Sequence, residues 1–477
     1  MLDQNSELLD LVVQLQLECE KDTLDCENRI MSKTGFNMTQ IIEIAELVKI
    51  ESDDFFAKGN AENILGNYQE AFNFYLQSAK RQNVDGIHAV GIMYLSGKGV
   101  KKNLKKAFMY IKKAADLNST SAKHSLGALY LSGSGVKIDF NKGTDLIKEA
   151  AEKGNVLSQQ LLGQFYLDGS FLKKDYGEGL MWIKKAAYQN YDISQFTLGL
   201  IYLQGIYVKK DVDKAVKWFE KAAEQNLPEA QHNLGALYLK GTEMKKNIKK
   251  AYEFFALAAE NGNMESQYEL GTQLYREQNY EEATKWIKKA AEQNLVKAQY
   301  LLGVMYRDEN NTEEATKWIK KAAEQNHARA QYDIGNMYHK EKKYEEALIW
   351  YSRAANQGLS DAEFQLGHEY LNGHGVKENR YTAMLWLEKA ADKNHTNAQL
   401  LLGQLYHNEK KYEETIKWYS RAANQGFSDA QFHLAKEYIK GHGVEQDLFT
   451  AIFWLQKAAI QGHSEAQELL ISYGHKW

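Results

Sequence analysis

A short phrase recurs along the chain as VGIMY, LGALY, LGQFY, LGLIY and LGALY, with its glycine at Gly91, Gly127, Gly163, Gly199 and Gly235. The series runs on through Gly271, Gly303, Gly335, Gly367 and Gly403, ends on Ala435 in LAKEY, and reaches back to Gly59 in AKGNA. Successive anchors stand 32 or 36 residues apart. A unit of that size cannot bury a core alone, so neighbours must stack, and the chain is one continuous array and not a string of globular domains. Longer echoes show how the array grew. EEATKWIKKAAEQN occurs verbatim at 281–294 and 313–326, while EKKYEE, WYSRAANQG and GHGV each recur 68 residues apart, so one short and one long unit were duplicated together.

Each unit reads as two antiparallel helices. In helix A the apolar residues fall at i, i+4 and i+8, as in Ala230, Leu234 and Tyr238, and form one stripe. A glycine inside a helix costs about 1 kcal/mol relative to alanine. Its recurrence beside the stripe therefore predicts a close approach by helix B. Helix B carries alanine, a large aromatic three residues on, and alanine again, as in Ala215, Trp218 and Ala223; eight of the nine tryptophans occupy this aromatic slot. A ladder of tryptophans at a stripe position is expected to pack between successive repeats. The 36-residue units hold an extra loop between the helices, as in SGKGVKKN (96–103), which the 32-residue units shorten by four residues. With a single proline, Pro228, at the first turn of a helix A, glycine and asparagine must make the turns.

Composition narrows the class further. Two cysteines exclude a disulfide scaffold and fit a reducing compartment, and no apolar run approaches the roughly 18 residues of a membrane span. The first 20 residues contain no lysine or arginine, the wrong charge for an export signal. The expected location is cytoplasmic, with secretion by a route other than Sec left open. A net charge of -4 gives no nucleic-acid footprint. Residues 1–52 form an acidic helical segment ahead of the array, with 13 acids against 5 bases in residues 1–58. One amphipathic helix is expected over about 6–31 and another over about 39–50, the latter capped by Asn37 and Gln40. The segment is read as a cap on the first repeat or, alternatively, as a docking or self-association helix. The repeats occupy 53–464, and a capping helix closes the chain over 465–477.

The pattern A-Q-x-x-L-G-x-x-Y-x-x-G-x-G-V followed by K-A-x-x-W-x-x-K-A-A resembles the Sel-1-like repeat family, a branch of the tetratricopeptide superfamily, over about residues 53–470. Shorter units such as IGNMYHKEKKYEEALIWYSRAA (334–355) drift towards ordinary tetratricopeptide repeats. The resemblance implies an all-α, right-handed α/α superhelical solenoid of about twelve helix-turn-helix repeats that acts as an adaptor for other proteins. Members with a disulfide in every repeat are excluded, because Cys19 and Cys26 both precede the array.

In such solenoids helix A lines the concave wall, so the candidate partner-binding residues point away from its buried stripe. The position three before the anchor supplies His88, His124, His232, Tyr268, Tyr300, Tyr332, Phe364 and Phe432, an aromatic or histidine column that could clamp a peptide or a partner helix. Neighbouring Asn336, Gln365, His368 and His433 would add polar specificity. The competing reading of the column is lateral packing between adjacent A helices.

The expected function is a non-enzymatic scaffold for a protein or peptide; the alternative is the same scaffold serving as a microbial effector or immunity protein, with an enzyme a remoter third. No catalytic, cofactor-binding or metal-ligating set is assigned. His368 and His374 are six apart and straddle a helix end, unlike the i, i+4 pair of HExxH. His327, His395 and His463 open alternate repeats at the same turn, where a polar residue is expected. Cys19 and Cys26, seven apart without CxxC spacing, read as two partly buried thiols.

Overall fold

The computed structural model describes residues 2–18, 23–242 and 244–476. Among them every regular element is a helix, and the chain divides into two compact units, Met1–Trp286 and Ile287–Trp477. The first unit opens with α1 (Leu2–Glu18), α2 (Thr23–Thr34) and α3 (Met38–Glu51). Helix pairs follow: α4 (Phe55–Ile64) with α5 (Tyr68–Lys80), α6 (Val84–Ser96) with α7 (Leu104–Asp116), and α8 (Thr120–Ser132) with α9 (Phe140–Glu152). Then come α10 (Val156–Asp168) with α11 (Tyr176–Tyr188), α12 (Asp192–Gln204) with α13 (Val212–Glu224), and α14 (Pro228–Lys240) with α15 (Ile248–Glu260). Helix α16 (Met264–Arg276) comes next, and α17 (Tyr280–Glu292) carries the division. In the second unit α18 (Val296–Asp308) pairs with α19 (Thr312–Glu324), α20 (Ala328–Lys340) with α21 (Tyr344–Asn356), and α22 (Ser360–Asn372) with α23 (Arg380–Asp392). The last pairs are α24 (Thr396–Asn408) with α25 (Tyr412–Asn424) and α26 (Ser428–Lys440) with α27 (Leu448–Ile460), closed by α28 (Ser464–Ser472). From α4 onward even-numbered helices are helix A and odd-numbered ones helix B. Each unit is thus a solenoid of stacked helix pairs.

The anchor glycines sit where two backbones come closest. A Cβ on Gly199 would lie 2.5 Å from the Phe219 ring, one on Gly303 2.5 Å from Ile319, and one on Gly335 2.6 Å from the Tyr351 ring. Those partners directly follow the tryptophan slot of helix B, and all three are buried. In the slot itself Trp182, Trp318 and Trp418 are buried. Lys185 lies 3.9 Å from the first ring, Lys321 4.1 Å from the second and Arg421 4.8 Å from the third, so part of the basic outer surface of helix B is engaged with aromatic faces. Trp218 packs against a buried cluster that joins Ile183 of the preceding pair to Leu198 of its own, and Trp350 against one that joins Ile319 to Ile334 in the same way.

A polar ladder, invisible in the hydrophobic pattern, ties the pairs together. Wherever a glutamine stands four residues before the anchor it is buried and donates to an alanine carbonyl eight residues back, as Gln331 does to Ala323 at 3.1 Å and Gln399 to Ala391 at 2.9 Å. Its own carbonyl accepts from the end of the next helix B: Gln357 to Gln331 and Gln425 to Gln399, each at 2.7 Å. Each rung satisfies a buried amide and a helix-terminal carbonyl at once. In two repeats an ion pair stands in the glutamine's place: Glu363 meets Lys393 at 2.6 Å, and Lys123 meets Glu149.

Turns follow the loop lengths. In the long units helix A ends on a left-handed glycine, such as Gly97 or Gly373, followed by a loop; in the short units three residues suffice, with Gln278, Asn310, Lys342 and Lys410 taking the left-handed backbone.

At the amino-terminal end, Leu9, Val12, Leu15, Ile41, Ala45 and Val48 form one core with Ala57, Ala61 and Ile64 of α4. The Asn37–Gln40 capping box at the start of α3 is formed. Helices α1 and α2 pack against each other. The stretch 6–31 is therefore not the one long helix that its apolar spacing suggests, because an amphipathic pattern is equally satisfied by two helices facing a shared core. Cys26 is disulfide-bonded and not a thiol; Cys19 lies outside the described residues. Beyond α27, Ala466 and Leu470 of α28 are fully buried. No described helix is long and apolar enough to cross a membrane.

Candidate partner-binding face

In several repeats the side chain three residues before the anchor reaches the next helix A. His88 Nε2 lies 2.9 Å from Ser125 Oγ, and the Nδ1 atoms of His124 and His232 lie 2.8 Å from Ser158 and Ser266. Burial pulls both His88 and His124 down to about 4, and for His88 the neighbouring His124 adds to it. Both imidazoles are thus neutral near pH 7. Further on, the Tyr300 hydroxyl donates to Asp333 at 3.1 Å, while its ring stacks on His327 at 4.6 Å. Burial, followed by the Asp333 charge, raises the Tyr300 phenol.

The same stacking recurs along the second unit. Phe364 covers His395 at 4.7 Å and Phe432 covers His463 at 4.5 Å. The three covered histidines are N-caps, whose Nδ1 atoms accept from the backbone N–H of Ala330, Ala398 and Ala466. Tyr332 stands beside Tyr351, with the Arg329 guanidinium 5.0 Å from its ring. Every named member of the column is half-buried except Phe432, which is buried, so the column joins neighbouring repeats and leaves ring edges at the surface. Tyr268 is likewise half-buried.

Polar neighbours divide into two groups. Asn336 accepts from the Tyr351 hydroxyl at 2.8 Å, and His433 stacks on Tyr419 at 5.4 Å, where burial lowers its pKa. These two are committed to the interior. The other group shares Asn336's position one residue after the anchor, a helical turn beyond the column, but faces outward: His368, Gln404 and Lys436 are half-exposed, and His368 bonds within its own turn to Asn372 at 3.1 Å. Gln365 is half-buried beside them. Column and polar row therefore share one face of helix A, as the 6.4 Å between the Phe364 and His368 rings shows.

Two clusters of possible metal-ligating groups lie away from this face's polar row: His339, Glu369 and His374, and His407, Glu437 and His442. From the sequence, His374 is weighed only against His368 and the pair is dismissed, with no metal site assigned. Contact instead runs from His374 to Glu369 and across the repeat junction to His339. The 68-residue echo was the available signal.

Residues 55–83, 84–119, 120–155, 156–191, 193–227, 228–263, 265–295, 360–395, 396–427 and 428–463 match the Sel1 repeat, and residues 306–362 match a tetratricopeptide repeat. No curated protein matches the chain. Among solved structures, it resembles a protective antigen present in uropathogenic Escherichia coli strains and displaying an SLR fold. That match has 28% identity over 91% of this chain and 90% of that one, with a TM-score of 0.59. A Sel1 repeat protein from Oxalobacter formigenes is 34% identical over 49% of this chain and 98% of its own, with a TM-score of 0.46.

Proposed function

The chain belongs to the Sel1 repeat family, and from that premise we propose that it is a non-enzymatic scaffold that holds a protein or peptide along its A helices. The observation that carries this reading is the face of the second unit, where partly exposed rings and a polar row stand on successive A helices from α20 to α26, at Tyr332, Phe364, His368, Gln404 and Lys436. Ring edges offer contact area at low conformational cost, and the polar row supplies direction. The outer side of helix B is a poorer candidate, because several of its cations already lie over tryptophan rings.

A comparison of retained proteins from the native cell tests this. The intact chain and a His368→Glu/Gln404→Glu/Lys436→Glu variant would be used as baits, with melting temperature as the folding control. The expected outcome is a reproducible partner lost by the variant at unchanged melting temperature. Equal retention by both would overturn the assignment of the face.

The similarity to a protective antigen favours a second reading, in which the same scaffold works at a host-facing surface. Protease accessibility on intact cells separates the two, since a chain at the surface is cleaved and an internal one is spared.

A further inference from the structure

The two His–Glu–His clusters are copies of one arrangement. His339 lies near the end of α20, Glu369 on the next helix A, α22, and His374 in the loop that follows it; adding 68 to each number gives His407, Glu437 and His442. Glu369 is fully buried, with His339 Nδ1 3.5 Å from one carboxylate oxygen and His374 Nδ1 3.2 Å from the other. In the second copy both separations are 3.1 Å. The Glu369 oxygen facing His339 has no hydrogen-bond partner, and neither has His407 Nδ1 in the copy. A buried carboxylate with an unsatisfied oxygen is costly, and a cation is what would satisfy it.

Other repeats show what these positions hold when no such group is formed. Two residues after the anchor, where Glu369 and Glu437 stand, the chain has Met93, Leu129, Phe165, Ile201 and Met305, all buried. Four after the anchor, where His339 and His407 stand, it has Leu95, Leu131, Leu167 and Leu203. The loop position of His374 and His442 is Lys98, Ser134 and Ser170 elsewhere. A packing residue has thus been exchanged for a buried acid only where two imidazoles meet it. The neighbouring anchor and the residue after it did change between the copies, from Gly367 and His368 to Ala435 and Lys436.

We propose that His339, Glu369 and His374, and separately His407, Glu437 and His442, each bind a divalent transition-metal ion of the zinc type across the junction of two repeats. Two imidazoles and a carboxylate form a ligand set that zinc accepts, and nitrogen and oxygen ligands at about 2.0–2.1 Å in tetrahedral arrangement stand about 3.3 Å apart. The observed separations bracket that value. The half-exposed imidazoles give the ion a path from solvent, and Tyr344 and Tyr412 stack on the loop histidines at 4.7 and 4.3 Å, holding their planes. The ion would fasten the end of one helix A to the loop of the next repeat, a structural clamp used twice.

The test is zinc titration of the full chain without a histidine tag, stripped beforehand with chelator and followed by calorimetry and melting temperature. The intact chain is expected to take up two equivalents and to melt higher with zinc. His374→Ala is expected to take up one, and His374→Ala/His442→Ala none and to show no zinc-dependent rise. Both substitutions lie at half-exposed loop positions, and the melting temperature in chelator checks that the variants are folded. An intact chain that binds other than two equivalents, or a folded double variant that binds as the intact chain does, would overturn the proposal.

Discussion

Single rungs of the polar ladder show how one residue commits another. Glu363 is almost fully buried and its second oxygen lacks a partner, so its charge rests on Lys393, which also donates to the Gly358 carbonyl at 2.8 Å. Lys393→Gln leaves a buried acid without its cation and is expected to cost about 1–3 kcal/mol in urea unfolding. Adding Glu363→Gln rebuilds the glutamine rung seen at Gln399 and Gln425 and should recover most of the loss; no recovery would mean that the rungs are not interchangeable. His88 and His124 make a second residue-scale prediction. Their folded-state pKa of about 4 lies below the usual 6.5, so as pH falls the unfolded chain takes up protons first. Stability is complete above about pH 6.5 and declines towards about pH 4. His124→Asn should flatten the fall in urea midpoint between about pH 7 and pH 5, and an unchanged slope would remove this histidine from the account. The sequence marked these histidines as a column but not as neutral, because the serines and the burial that decide it come from the next repeat.

At the scale of elements, the hydrophobic period specified both helices of each unit, and the glycines specified their contact. Loop lengths were equally legible: seven residues join α6 to α7 and three join α16 to α17, the four-residue difference read from the anchor spacings. Legibility failed where the pattern has two solutions. Apolar spacing over 6–31 suits one helix or a folded pair, and only contact with α4 decides. Ladder glutamines were visible as letters of the repeat, yet their partners lie 26 or 30 residues away and carry no periodic signal of their own. The short turns store a measurable cost. Lys342 and Lys410 are exposed and hold φ of 59° and 61°, a conformation disfavoured for residues with a Cβ. Replacing both by glycine should raise the urea midpoint by an amount corresponding to about 1 kcal/mol or more in total. A fall would show that the lysine side chains contribute more than the backbone loses.

Across the whole molecule, repetition makes the chain a sum of similar junctions, and function must reside where repeats differ or where their sameness makes a surface. The metal clusters are the first kind, two junctions altered in the same three places. The A-helix face of the second unit is the second, a row of rings and polar groups carried on α20 to α26. Family membership and fold were readable from the anchors alone, because stacking leaves few architectures open to a chain with this period. The role of the face was not, since a partner's shape is not written in a single chain. Hydrogen–deuterium exchange of the chain with and without a partner recovered by the bait comparison tests the face most directly. Protection concentrated in the even-numbered helices α20 to α26, around His368, Gln404 and Lys436, is the predicted result. Protection confined to the odd-numbered helices, or to α1–α3, would contradict it.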